Sequence, residues 1–422
     1  MVLALGTFFS SHTAPEELLA SGVDDAIART KLYRSAAGWA LVYGKYMNPG
    51  PMTLPPLMLF VESEFLLNRA NQTNCYVLMG VVIRLLLKMG LHRDPTLMPS
   101  ISPFEGEMRR RMWAFASVMD IIMSFHVGLP SMISSIESDT QMPRNLMDED
   151  FDEDTVELPP ARPDSQYTIL SYAVPKCHLS RIFGQIAANL HRLTPPPYST
   201  VLHLDALLQE TMEKKVPPIM KLRPLGDCLT DSSAHIIQRY GLSCLFHKTR
   251  CVLHRRYLTD AVLQKEHEFS RRVCMQSALA LLGHQIEVYE ATQKGQMLES
   301  EAWFVSALAL HDFLLAATII YVVIQSPHFE EIEQSAGITT REQLIELLQR
   351  SHLVWLGFSR NQVEASKTAG LLEGMLRKLG AWQPTVRPVS LDKAMGPSLD
   401  TNMLPIESLS MTSTRITQVS VP

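Results

Sequence analysis

Several of the patterns that betray a function are missing from this sequence. Its 422 residues include six cysteines, Cys75, Cys177, Cys228, Cys244, Cys251 and Cys274, with no Cys-x-x-Cys pair, which excludes a disulfide scaffold and reads as buried thiols in a reducing compartment. There is no surplus of positive charge: 38 Lys and Arg face 43 Asp and Glu, a net charge of −5, which argues against a basic nucleic-acid-binding domain. No Lys or Arg precedes Arg29, so the apolar start lacks the charged region of a secretory leader. The one long apolar run, 303–324, carries His311 and Asp312 side by side at its centre, where a bilayer would penalise them, and is expected to be a buried core helix of a protein with no membrane span. Gly-x-Ser-x-Gly, His-Glu-x-x-His, a glycine-rich phosphate loop, a repeat period and a heptad seam are all missing. What is present is apolar bulk: 46% of the residues are hydrophobic, enough to bury a large core and to exclude disorder throughout.

That bulk is arranged with helical periodicity, and sustained strand-like alternation is absent, so the expected fold is all-α. Residues 76–91 are apolar on most faces, with Arg84 and Lys88 forming one wet stripe, and Gly90 supplies a C-terminal cap. Ser102, Pro103 and Glu105 announce the next helix as cap, first-turn proline and capping box, and it is expected to run to about Phe125, before Gly128 and Pro130. Between Pro143 and Pro163 seven acids fall within 148–157, which predicts a solvated connection between two helical halves. Helical patterns return at 167–193, 231–258, 268–289, 299–325 and 340–379, the last opened by a Thr340/Gln343 capping box. The expected organisation is a large irregular helical bundle over 1–380, with the loop 143–166 between its halves, and a disordered Pro/Ser/Thr-rich tail over 381–422. Val2 to Gly6 reads like the middle of a buried helix, which suggests that the chain starts inside a domain.

Three constellations invite a chemical reading. Cys244, His247, Cys251 and His254 share a helix face, but ten helical residues rise about 15 Å while zinc ligands converge within about 2.3 Å of the ion, so a core stripe is the better account and no metal is assigned. The acids of 147–155 resemble the Mg²⁺-binding carboxylates of an all-α isoprenoid enzyme, yet their flanking prolines place them in a loop, away from an apolar cavity. Arg109, Arg110 and Arg111 occupy different helix faces with Glu107 four residues before Arg111, and intramolecular pairing accounts for them better than phosphate binding. Trp113, Ser117, Asp120 and Ser124 form one continuous stripe, so the indole can pack while Asp120 meets polar partners. His92 and Arg93 are expected to meet the carbonyl end of the preceding helix, or to pair with Asp94 or the acids of 148–154.

The run MGVVIRLLLKMGLHRDP (79–95), with Gly90, Leu91, His92, Arg93 and Asp94, is followed by SPFEGEMRRRMW (102–113), with Glu107, Arg109, Arg110 and Trp113. Asp120, Ser124, Gly128 and Pro130 come next, then PRNLMDEDF (143–151) with Pro143 and Asn145, and later CVLHRRYL (251–258) with His254 and Arg255. Together these resemble the fungal-specific transcription factor domain, the middle homology region of zinc binuclear cluster regulators, and the likeness extends over nearly all of 1–380. Ala114 stands where a second Trp is common and Leu129 where the turn usually has Arg.

The resemblance implies an all-helical regulatory domain in the nucleus, acting on RNA polymerase II transcription of a metabolic or biosynthetic gene set, and no enzyme. It also implies that zinc belongs only to a separate amino-terminal module of six closely spaced cysteines, missing from this sequence. DNA would then be met through that module or through a partner, namely another transcription regulator or a complete family member, and a small-molecule effector could sit between the helices. One alternative is a co-regulator or inhibitor without its own DNA reader, pairing with a complete family member. The isoprenoid enzyme is a remote third.

Overall fold

The computed structural model describes residues 1–50, 53–67, 72–258, 264–302, 310–336, 340–359 and 363–382. The expected tail from 383 onward, and residues 303–309 of the long apolar run, lie outside the described residues. Among the described residues there are fourteen α-helices and no strand, so the expected fold class holds. The first half contains α1 (Val2–Thr13), α2 (Pro15–Ala20), α3 (Ala26–Tyr43), α4 (Leu54–Leu67), α5 (Gln72–Lys88) and α6 (Pro103–Val127). After a long irregular connection come α7 (Leu170–Leu190), α8 (Tyr198–Lys214), α9 (Ser233–His254), α10 (Glu268–Ala291), α11 (Leu310–Gln325), α12 (Phe329–Ala336), α13 (Arg341–Ser359) and α14 (Val363–Lys378). No described helix is long and apolar enough to cross a membrane.

The helix ends follow local chemistry. Asp25 accepts the amide of Ala28 at 2.9 Å to cap α3, Ser102 that of Glu105 at 3.2 Å to cap α6, and Ser232 that of His235 at 3.3 Å to cap α9. Thr340 and Gln343 form the reciprocal box expected of them. Glu105 does not complete the box proposed for α6, because its carboxylate turns to Arg109 at 2.9 Å instead. Gly90 (φ +76°) and Gly128 (φ +69°) stop α5 and α6 in the left-handed conformation, with paired backward bonds from Leu91 to Leu86 and from Leu129 to Ser124. Helix α6 runs two residues beyond the expected Phe125, and the pattern over 340–379 proves to be two helices packed on each other. Helix α1 forms as expected, but it is not a core helix: Val2 and Leu3 are exposed, and its buried residues are Ala4 and Thr7.

Apolar burial falls into three clusters. One lies between α4, α5 and α6, with Leu54, Ile83, Leu86, Trp113 and Met123 at its centre. A second joins α7, α8 and α9 around Phe183, Leu208 and Leu242 and receives Ile121 from α6. The largest, built on α9 to α14, holds Tyr240, Met275, Phe313 and Trp355. Helix α9 therefore supplies both of the last two: Tyr240, Cys244 and Cys251 face one cluster, and Leu242, Phe246 and Leu253 the other. Such a helix has no room for a wet stripe, and its charged residues must find partners inside the protein.

Glycines separate backbone strain from packing. A Cβ at Gly128 would meet nothing within 4 Å, yet its positive φ should make Gly128→Ala cost about 1–2 kcal/mol. Gly370 is equally open but lies inside α14, so Gly370→Ala should gain about 0.5–1 kcal/mol. Urea unfolding of the two variants is expected to move the midpoint in opposite directions; equal shifts would contradict this reading.

Candidate functional site

Only part of the set singled out over 90–145 gathers around one buried carboxylate, that of Asp94. Past the Gly90 turn, the chain brings Asp94 over the first turns of α6, where its side chain is about 4% exposed. Arg110 grips it with Nε at 3.0 Å and Nη2 at 2.8 Å, a bidentate pair. Thr96 adds its hydroxyl at 2.7 Å and its amide at 3.1 Å, and the amide of Gln141 arrives from the loop after α6 at 2.9 Å. Burial alone would raise the carboxyl's pKa, but Arg110 and these donors hold it well below the usual range, so Asp94 is an anion at any physiological pH.

Around that pair the loop 138–145 is laid onto the start of the signature. Thr140 donates to the carbonyl of Leu91 and Ser138 to that of His92, each at 2.8 Å, while Asp139 accepts the amide of Asp94 at 2.8 Å and pairs with Arg93 at 3.0 Å. The expectation for Arg93 is corrected here: its partner is Asp139, not Asp94 or the acids of 148–154. The carbonyl end of α5 is met by neither His92 nor Arg93. Arg109 reaches across from α6 and donates to Met89 at 3.2 Å, and the imidazole of His92 lies against Trp113 instead, ring centres 6.3 Å apart.

Glu107, fully buried, accepts the amide of Arg144 at 3.1 Å and sits 3.5 Å from Arg111. Burial raises its pKa, and the neighbouring arginines offset only part of the rise. Arg111 continues outward to Asp148 at 2.7 Å and stacks over Phe151 at 5.0 Å. All three consecutive arginines are thus used inside the protein, as their spacing implied. The acidic segment differs from a purely solvated connection. Pro143, Leu146 and Phe151 are buried, Asp150 pairs with Arg162, and Asn145 bridges the carbonyl of Arg162 (3.0 Å) and the hydroxyl of Thr168 (2.5 Å). Asp120 accepts Ser131 at 2.6 Å and the amide of Ile133 at 3.0 Å, which fixes the turn after Gly128, while burial keeps its pKa raised. Pro130 is exposed and contributes its carbonyl to Tyr76 at 3.1 Å; Ser124 is buried, and its hydroxyl has no partner among the described residues.

His254 belongs to a second network that the sequence alone did not reveal. Asp205 of α8 accepts Arg250 twice at 2.8 Å and His254 Nε2 at 3.2 Å, while His254 Nδ1 meets Ser270 at 2.8 Å and Ser270 meets Tyr198 at 2.9 Å. Burial would raise the Asp205 carboxyl, but Arg250 and His254 bring it down to about 2. Asp205 is 45 and 49 residues from its partners, and no local pattern marks such a pairing. Arg255 is not drawn into this network and projects from the end of α9. Asp312 meets Lys248 at 2.9 Å, and the ring of His311 lies 4.7 Å from that of His126. His247 and His284, sunk in the same region, are pushed down to about 3 and about 4 by burial, so both are neutral.

Chemically, this arrangement holds segments together. Among the described residues no group of three or more His, Cys, Asp or Glu is placed to hold a metal ion.

Comparison with known proteins agrees with the family resemblance. The family described as the fungal specific transcription factor domain matches residues 1–215. The chain is 37% identical over 389 residues to the Zn(2)-C6 fungal-type transcription factor pigI of Monascus ruber, a match spanning 91% of this chain and 47% of that protein. It is 36% identical over 389 residues to mpsB of Macrophomina phaseolina, likewise a Zn(2)-C6 fungal-type transcription factor, across 89% of this chain and 51% of the relative. With the equisetin cluster transcription factor eqxF of Fusarium heterosporum it shares 37% identity over 339 residues, 80% of this chain and 48% of that one. The chain thus spans about half the length of these relatives. No solved structure matches it.

The zinc cluster named in those relatives does not fit the cysteines present. All six are buried and dispersed over the fold, and burial raises Cys75 to about 12 and pushes Cys244 and Cys251 upward, away from the thiolate that zinc requires.

Removing the guanidinium with Arg110→Met should cost about 3–5 kcal/mol, because Asp94 is left as a buried charge without its cation. Asp94→Asn combined with Arg110→Met should recover part of that loss in a double-mutant cycle; simple additivity would mean the two do not act as a pair. Stability should also fall with acid in two stages. Because His247 and His284 have folded pKa values below the unfolded 6.5, their contribution is complete above about pH 6.5. It declines below that at about 1.4 kcal/mol per pH unit for each histidine, down to the folded values. Asp94 and Asp205, depressed from 3.8, are lost only below about pH 4. In unfolding curves at stepped pH, His284→Gln is expected to flatten the first stage and leave the second.

Proposed function

Since the chain belongs to the fungal-specific transcription factor domain family of Zn(2)-C6 regulators, a family of transcription factors and not of enzymes, we propose that it is a regulatory domain controlling RNA polymerase II transcription of a biosynthetic gene set. The observation that carries this reading is the match of residues 1–215 to the family, in which the signature builds one framework around Asp94 and Arg110. Relatives described as cluster transcription factors, such as eqxF, support the choice of a biosynthetic gene set over other targets. In this reading the protein works in the nucleus. Contact with DNA, and the zinc it needs, belong to a six-cysteine module, carried either by the whole protein or by a partner.

A second arrangement, a co-regulator joined to a complete family member, draws support from the apolar side chains that α3 leaves uncovered: Leu32, Trp39 and Tyr43 are 61%, 54% and 82% exposed.

The remote isoprenoid reading has no support, since Asp148 and Asp150 are committed to Arg111 and Arg162 in a loop. Deleting the gene in its source organism should change the transcripts of a contiguous biosynthetic gene set about tenfold or more, a fall marking an activator and a rise a repressor, and a fluorescent fusion should concentrate in nuclei. Unchanged transcripts across the genome would refute the proposal. Recovery of a six-cysteine relative with the tagged chain would select the co-regulator arrangement.

A further inference from the structure

A cavity of about 480 Å³ opens where the end of α7, the turn after α9 and the middle of α11 meet. Its walls are Ile186, Leu190, Val201, Leu253, Leu315 and Ile319, and its size is that of a site for a small organic molecule. Its polar side chains are unevenly committed. The hydroxyl of Thr318 already donates to Leu314 at 2.8 Å, and the amide nitrogen of Asn189 to Gln185 at 3.1 Å. The remaining polar lining residues are Arg192, Arg255 and Arg256, with no Asp or Glu among the described lining residues.

Several arginines elsewhere in this fold are ion-paired, among them Arg110 with Asp94, Arg162 with Asp150, Arg250 with Asp205 and Arg350 with Glu290. Arg256 lies over the ring of Tyr257 at 5.4 Å. Arg192 and Arg255 are exposed and form no ion pair or side-chain hydrogen bond among the described residues. In a protein of net charge −5, Arg192 and Arg255, set at one apolar cavity without an ion pair among the described residues, repel one another and leave the cavity wall wet. A ligand with an anionic end and an apolar body relieves both conditions. It also gives a role to Arg255, which neither the core nor the Asp205 network uses.

We propose that this cavity binds an amphipathic organic anion, a carboxylate on an aliphatic body of about ten carbons or more, with the body against α7 and α11 and the carboxylate at the arginine rim. The site's chemistry is independent of which genes the domain controls.

Isothermal titration of the chain with decanoate, below its micelle concentration, tests this against 1-decanol, which has the same body without the charge. Decanoate should bind one to one and about tenfold more tightly than decanol. Arg192→Gln with Arg255→Gln should bring decanoate down to the affinity of decanol while leaving decanol unchanged, and Arg350→Gln, on a distant ion pair, should change neither. Val322→Trp, or Leu190→Trp where the first lowers the melting temperature, should abolish binding of both by filling the cavity. Absence of saturable decanoate binding overturns the proposal, as do equal affinities for the two probes or binding that survives both tryptophan variants.

Discussion

A carboxylate that cannot be given up organises the first half of this protein. Asp94 has been taken out of water and surrounded by donors from three places in the chain: its own turn, helix α6 and the loop that returns after α6. A buried charge tolerates few geometries, because each lost donor leaves a desolvated anion to be neutralised. The path of the backbone from Gly90 to Gln141 is therefore specified by the needs of one side chain. Arg109, Arg111 and Glu107 extend the same solution outward, joining α5 to α6 and α6 to the acidic segment. In the second half Asp205 plays a comparable part, with Arg250 and His254 as its ligands and α8, α9 and α10 as the elements joined. Both sites spend charge on specifying which segments meet, which apolar packing alone does less selectively.

Local chemistry made much of this legible in the sequence. The caps at Ser102 and Thr340, the stops at Gly90 and Gly128, the wet stripe of Arg84 and Lys88 and the buried stripe from Trp113 to Ser124 each depend on residues within a few turns of one another, and each is found. Pairings across long separations were not legible. Asp139 with Arg93, Lys248 with Asp312, and Asp205 with Arg250 and His254 are set by tertiary packing, and a list of charged residues does not say which will meet. The segment from Pro143 to Pro163 shows why composition can mislead. Its seven acids predict water on all sides, yet three apolar residues, a bidentate Arg162–Asp150 pair and Asn145 tie it down while the remaining acids face outward. Composition gives the average environment of a segment; a few anchors decide where it goes.

The cysteine and histidine stripe of α9 shows the same division between pattern and partner. Spacing excluded a shared metal, and packing supplies the positive account. Cys251 and Cys274 approach each other's carbonyl oxygens at 3.8 Å, and His254 is held between Asp205 and Ser270. His247 is kept neutral by burial. Cys251 and His254 are thus engaged with α10 and α8, and the ring of His247 lies 5.8 Å from that of His284 on α10.

Helix α9, shared between two apolar clusters, also bears on what counts as a unit in this protein. The family match ends at residue 215, just after α8, before α9 begins. Yet the cluster that α7 and α8 build around Phe183 and Leu208 is closed by Leu242, Phe246 and Leu253, all of them on α9. An isolated segment ending at 215 would present that apolar face to solvent and leave Asp205 without Arg250 and His254. The stretch that the family description covers is accordingly shorter than the stretch able to fold cooperatively, although the relatives match well beyond it, and its boundary runs through the middle of a core.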